Sequence, residues 1–155
     1  MLKKKLKGFS VIELVMAAAI FSIFSISITL AVLQGSTAIQ SGIRAELARQ
    51  WAMEGIEAAR AVRAQSFDKL QNTPGSGMQF NDGKWEFSGM QDEKDGYVRI
   101  ISVQSAQRNA DGNIVDHDGT DDADLKRITA TVTRDTFSLD FSTYLSRREV
   151  VLIAP

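Results

Sequence analysis

The sequence predicts an α+β fold: one long N-terminal helix, apolar in its first half and amphipathic in its second, packed on a small antiparallel β-sheet head. Three observations predict it. From Leu14 to Ile43 there is no charged residue. Apolar residues then recur at helical spacing as far as Phe67, with charged residues around the rest of the turn. Beyond the segment "NTPGSG" at 72–77 the apolar period changes to two, the pattern of half-buried strands.

In chain order, residues 1–8 form a basic leader containing Lys3, Lys4, Lys5 and Lys7, and residues 9–35 form an apolar helix. At about 1.5 Å per residue this helix is long enough for the roughly 30 Å hydrocarbon layer of a membrane. Lysines before the span and none soon after it predict a single pass with a cytoplasmic N-terminus and an outer head. Glu13, however, sits five residues inside the apolar run. A carboxylate at the centre of a bilayer costs about 2 to 3 kcal/mol even on lenient scales. A cleavable signal peptide would have a shorter apolar core, of about 7 to 15 residues. A plain anchor accounts for the lysines and the length but gives no use to the glutamate.

Residues 36–70 predict the amphipathic half. Ile39, Ile43, Leu47 and Trp51 recur every four residues, followed by Ile56, Ala59, Val62 and Phe67. Arg44, Glu46, Arg49, Glu54, Glu57, Arg60 and Arg63 lie elsewhere around the same helix. The prediction is one helix from about Phe9 to Ser66 whose Ile/Leu/Trp stripe lies on the head, with Trp51 and Phe67 in the core. Glu57 with Arg60 and Arg63, and Glu46 with Arg49 and Gln50, read as solvated helix pairs.

Residues 71–155 predict the sheet. Pro74 and the glycines of "NTPGSG" read as a turn that stops the helix. "KWEFSGM", "YVRIISV", "RITATVT", "FSLDFSTYLS" and the closing "EVVLI" read as consecutive strands, with Trp85, Phe87, Ile128, Ala130, Val132, Phe137, Leu139 and Phe141 facing inward. Short polar turns between them imply antiparallel pairing with one covered face, and the only available cover is the long helix.

Composition narrows the function. The chain has 155 residues, room for one small head beside the apolar segment, and no cysteine, which excludes disulfides and thiolate chemistry. Without the four leader lysines, 14 basic residues face 19 acidic ones, a balance of about −5 that argues against general nucleic-acid binding. His117 is the only histidine, so a zinc site lacks ligands, and no serine carries a nucleophile-elbow signature; an enzyme is not expected. Lys84, Arg99, Arg134, Arg147 and Arg148 read as edge protection and solubility. The stretch 109–127, "NADGNIVDHDGTDDADLKR", crowds acidic residues into a predicted loop. Its candidate calcium ligands are Asp116, Asp118, Asp121 and Asp122, although the spacing departs from the EF-hand pattern. A solvated hairpin loop with Asn and Asp in turn positions is the simpler reading, with no cofactor required.

"KGFSVIEL" resembles the cleavage and methylation site of type IV prepilins and type II secretion pseudopilins: a short basic leader ending in glycine, an aromatic first mature residue, and glutamate at the fifth mature position. The resemblance covers about residues 3–35. It implies cleavage between Gly8 and Phe9 by prepilin peptidase, methylation of the new Phe9 amine, and storage in the lipid of the bacterial inner membrane before assembly into a fibre. It also implies a use for Glu13, which would meet the Phe9 ammonium of a neighbouring subunit during assembly on a membrane platform. Many major pilins carry a proline at the position of Leu30, and this chain has none before Pro74, which suits a minor pilin or pseudopilin. "KRITATVT" followed by "LDFSTYLS" resembles the closing strands of minor pilin V and pseudopilin I. The alternative is a signal-anchored extracytoplasmic ligand-binding module that does not polymerise.

Overall fold

The computed structural model describes residues 10–148. Helix α1 runs Val11–Gln65, and its first turn is set by Ser10, whose carbonyl accepts from the amides of Glu13 and Leu14 at 3.0 and 3.2 Å. The chain divides within this helix into two units, Met1–Ile43 and Arg44–Pro155.

In the first unit the apolar side chains of the helix are exposed, among them Val11, Ile12, Phe21, Phe24, Ile28 and Leu33. Five of its hydroxyls are satisfied by the helix itself. Ser22, Ser27, Thr29 and Ser41 each donate to the carbonyl four residues back, at 2.8–3.0 Å, and Thr37 donates to that of Gln34. A hydroxyl bonded in this way presents no orphan donor to an apolar surrounding. The described segment is one helix long and apolar enough to cross a membrane.

The second unit is the head. After α1, Ser66 leaves the helical region at φ −166° and ψ 132° and accepts from the Asp68 amide, which opens a single 3₁₀ turn, Phe67–Lys69. Seven strands follow: β1 Thr73–Asn81, β2 Lys84–Ser88, β3 Asp92–Lys94, β4 Tyr97–Arg108, β5 Ile114–Val115, β6 Thr120–Arg134 and β7 Phe137–Ser146. They form one antiparallel sheet in the order β2-β1-β4-β6-β7, with β3 and β5 pairing on the remaining lengths of β4. Two hairpin turns carry Asp-Gly pairs at positive φ, Asp82 (48°) with Gly83 (77°) and Asp95 (53°) with Gly96 (78°). Paired left-handed residues match the twist of the flanking strands, which is why Asp-Gly recurs at hairpins.

The core lies between the outer half of α1 and one face of the sheet. Trp51, Ala52, Ile56, Ala59 and Val62 meet Tyr97, Ile101 and Val103 of β4 and Ile128, Ala130 and Val132 of β6, with Phe67, Leu70, Met78 and Leu145 closing the ends. Trp85, Phe87, Phe137, Leu139 and Phe141 pack against it half-buried, as their alternation predicts. Burying one such large apolar side chain is worth about 1.5 to 3 kcal/mol, so a core of this extent can hold the head without disulfides.

Four expectations are corrected. Burial on α1 begins at Ala48, and Leu47 remains 49% exposed, so the face that packs starts more than two turns after Ile39, where the four-residue spacing placed it; Ile39 and Ile43 belong to the other unit. "NTPGSG" is largely strand β1 rather than a turn. A Cβ on Gly77 would lie 2.5 Å from the Gln91 carbonyl oxygen and 2.7 Å from that of Ser88, so glycine is required there by close backbone approach. Pro74 stands near the strand start, where the register against β4 shifts between Thr73 and Ser76. The acidic loop is shorter than its composition suggests, because β6 begins at Thr120 and takes in Asp121, Asp122 and Asp124. Arg99 lies not at an edge but in β4 between β3 and β6, 1% exposed. The predicted closing strand "EVVLI" falls outside the described residues.

Candidate functional site

Two places bear on function: the start of α1 and the acidic connection between β4 and β6. Gly8 and Phe9 lie outside the described residues. Glu13 stands in the first turn of α1, where the free amides of a helix N-terminus favour a negative charge. It is followed by an apolar helix whose side chains are uncovered in the isolated chain. A surface of this kind must be covered by lipid or by another apolar surface, since water contact over its whole length is unfavourable.

At the acidic end, three of the four candidate calcium ligands, Asp116, Asp121 and Asp122, have a partner within the chain, and Asp118 lies only beside the exposed His117. Arg127 Nη1 reaches Asp116 Oδ1 at 2.7 Å, and His117 Nδ1 lies 3.3 Å from Asp118 Oδ2, both side chains of the latter pair fully open to solvent. Gln107 donates its amide to Asp121 at 3.1 Å. Asp122 is held on both oxygens, by Arg108 Nε at 2.7 Å and by the Asp124 amide at 2.9 Å. The Arg108 hydrogen bond first, and the Asp124 amide second, hold the Asp122 carboxyl below the usual carboxylate range. Among the described residues no three acidic or histidine side chains gather as a metal ion would need.

The turn itself is built by Asn109. Its side-chain oxygen accepts from the amides of Asp111 and Asn113, and its carbonyl accepts from Gly112. Arg108 Nη1 closes the loop onto the Gly112 carbonyl at 2.7 Å. Arg147 performs a similar task nearby: it joins Asp68 at 2.9 Å to Asp124 at 2.8 Å and lies over the Phe67 ring. The two carboxylates raise its already high pKa, Asp68 foremost. Arg147, read as a solubility device, therefore fastens a loop, and so does Arg108, which the sequence did not single out. The acidic residues were legible in the sequence; their cationic partners, 11 to 23 residues away, were not.

Comparison with protein-family models, with curated proteins and with solved structures finds no match to this chain.

Proposed function

We propose that the chain is a minor pilin or pseudopilin: a structural subunit of a type IV pilus or type II secretion pseudopilus, cleaved after Gly8 and assembled through its N-terminal helix. One observation carries this reading. A carboxylate, Glu13, stands in the first turn of a long, uncovered apolar helix, five positions after the glycine that ends a basic leader. An anchor alone gains nothing from that charge, whereas a subunit that must find its register does. Once Phe9 is the N-terminus, Glu13 lies four residues on, about 6 Å along the helix. A buried carboxylate without a cation is penalised by several kcal/mol, so packing in which Glu13 meets the Phe9 ammonium of a neighbour is favoured over any slipped arrangement.

The partners on this reading are prepilin peptidase, sibling subunits, a membrane assembly platform and, before assembly, the lipid of the inner membrane with the head outside. The acidic end of the head is solvated, with Asp116, Asp121 and Asp122 engaged by Arg127, Gln107 and Arg108. The intact mass and N-terminal residue of the protein from membranes containing a prepilin peptidase test the proposal. A chain beginning at methylated Phe9 supports it. A chain still beginning at Met1 overturns it and favours the anchored binding module.

A further inference from the structure

The chain from Glu13 to Arg44 bears no other charge. Those 31 helical steps rise about 46 Å at 1.5 Å each, close to the roughly 40–45 Å thickness of a bilayer including both headgroup layers. If Glu13 lies at one headgroup layer, Arg44 reaches the other.

Arg44 is also one wall of a small cavity on the head, about 80 Å³, lined by Arg44, Tyr97, Arg134, Asp135, Thr136 and Phe137. Tyr97 organises it. Its hydroxyl donates to the Arg44 carbonyl at 3.2 Å, and the Arg134 guanidinium lies over its ring, 4.8 Å from the centroid. A guanidinium over a ring still carries N–H donors in its own plane, which can serve an oxygen ligand. Neither Arg44 nor Arg134 forms an ion pair among the described residues, although Arg49, Arg60, Arg99, Arg108, Arg127 and Arg147 all do. The one carboxylate in the lining, Asp135, is within 4.0 Å of neither. Two cations against one carboxylate leave the cavity positive.

We propose that this cavity seats the phosphate of a membrane phospholipid headgroup, with Arg44 and Arg134 as the ligating cations and Tyr97 and Phe137 as the aromatic wall. The inference rests on α1 spanning a membrane and does not require assembly into a fibre. Two guanidiniums give planar, paired donors to phosphate oxygens, and aromatic side chains beside them suit the headgroup layer. The occupant is lipid rather than a second copy because the uncharged length of helix brings Arg44 to headgroup depth.

The full-length chain is reconstituted into vesicles of phosphatidylglycerol and phosphatidylcholine, floated with them, extracted in mild detergent, and its retained phosphatidylglycerol counted by native mass spectrometry. A basic residue near an anionic surface changes affinity by about fivefold. Retention by Arg44→Gln/Arg134→Gln is expected to fall about 25-fold, while Arg49→Gln, outside the cavity, changes nothing. In parallel, Thr136→Cys, the sole thiol of that variant, carries a fluorophore that a headgroup-attached quencher should reach. Unchanged retention in the double variant overturns the proposal. So does quenching of the Thr136→Cys label only by a soluble quencher, and so does lipid loss on adding inorganic phosphate without headgroup quenching, which would mark a free-anion site. A chain that fails to float removes the membrane reading as well, whereas one that floats without retaining lipid removes this inference alone.

Discussion

Arg99 holds Asp92 with Nε and Nη2 and the Trp51 carbonyl with Nη1 at 2.9 Å, so that one buried guanidinium ties β3 and α1 to β4. It also lies over the Trp51 ring, 4.8 Å from the centroid. Space for it is made at Gly55, where a Cβ would come within 2.9 Å of Arg99 Cδ. Burying this charge is tolerable only because its donors are used; a guanidinium without its carboxylate in the same place would be strongly unfavourable.

Asp92→Ala is therefore expected to destabilise the head by about 3 kcal/mol, because it strands the Arg99 charge. Arg99→Met is expected to cost less, about 1 to 2 kcal/mol, since the Asp92 side chain is 23% exposed and can turn to water. Urea unfolding of the full-length chain in detergent, followed by the fluorescence of Trp51 and Trp85, measures both. Equal losses would mean that the pair, not the orphaned charge, dominates.

Gly77→Ala should cost about 2 kcal/mol, because the new methyl meets backbone oxygens that cannot rotate away. Gly83→Ala has open space around it but a φ of 77°, and should cost about 1 kcal/mol from the backbone alone. The difference between the two midpoints on the same urea curve separates crowding from conformational strain.

Asp122 has a folded-state pKa below its ordinary value of 3.8. Its contribution is thus present in full above the unfolded value and is lost as the pH falls through the depressed folded one. Asp122→Asn is expected to flatten the acid limb of a stability–pH profile below about pH 4 and to leave the slope at neutral pH unchanged. A flattening confined to pH 6 or above would contradict this sign.

Glu13→Ala, under the proposed function, is expected to be cleaved and methylated normally yet to be absent from sheared or pelleted fibres. Gly8→Leu is expected to remain uncut, because a side chain at the scissile position crowds the peptidase. Normal incorporation of Glu13→Ala would remove the docking role of the carboxylate.

Calcium at millimolar concentration is expected to leave the melting temperature of the head unchanged, since Asp116, Asp121 and Asp122 are engaged by Arg127, Gln107 and Arg108. A rise that Asp122→Asn abolishes would show that the cation displaces arginine.

Much of this architecture was legible. The charge-free run and the four-residue spacing gave α1 to within two residues at its start, and alternation gave the inward faces of β2, β6 and β7. Arg99 was also within reach: it shares the parity of Tyr97, Ile101 and Val103, so the alternation that buries those three buries it too. Its charge outweighed its position because Asp92, its partner, lies on a three-residue strand too short to register as a period. Strand β1 was hidden for the opposite reason. Glycine and proline mark turns locally, and only the distant Gln91 and Ser88 backbones show why glycine is needed in an extended segment. At the N-terminal site, Glu13 was conspicuous by sequence, while Gly8 and Phe9 fall outside the described residues.

The bond from Arg63 to the Ser146 carbonyl spans 83 residues, and that from Arg99 to Trp51 spans 48. The apolar face of α1 from Trp51 to Val62 therefore has nothing to rest on while the chain is being made, until β4 and β6 have emerged. Contacts so distant along the chain form slowly, because the intervening loop must close before any of them is rewarded. The nascent chain must pass through an interval with a bare amphipathic helix, and that interval is when it is most exposed to proteases.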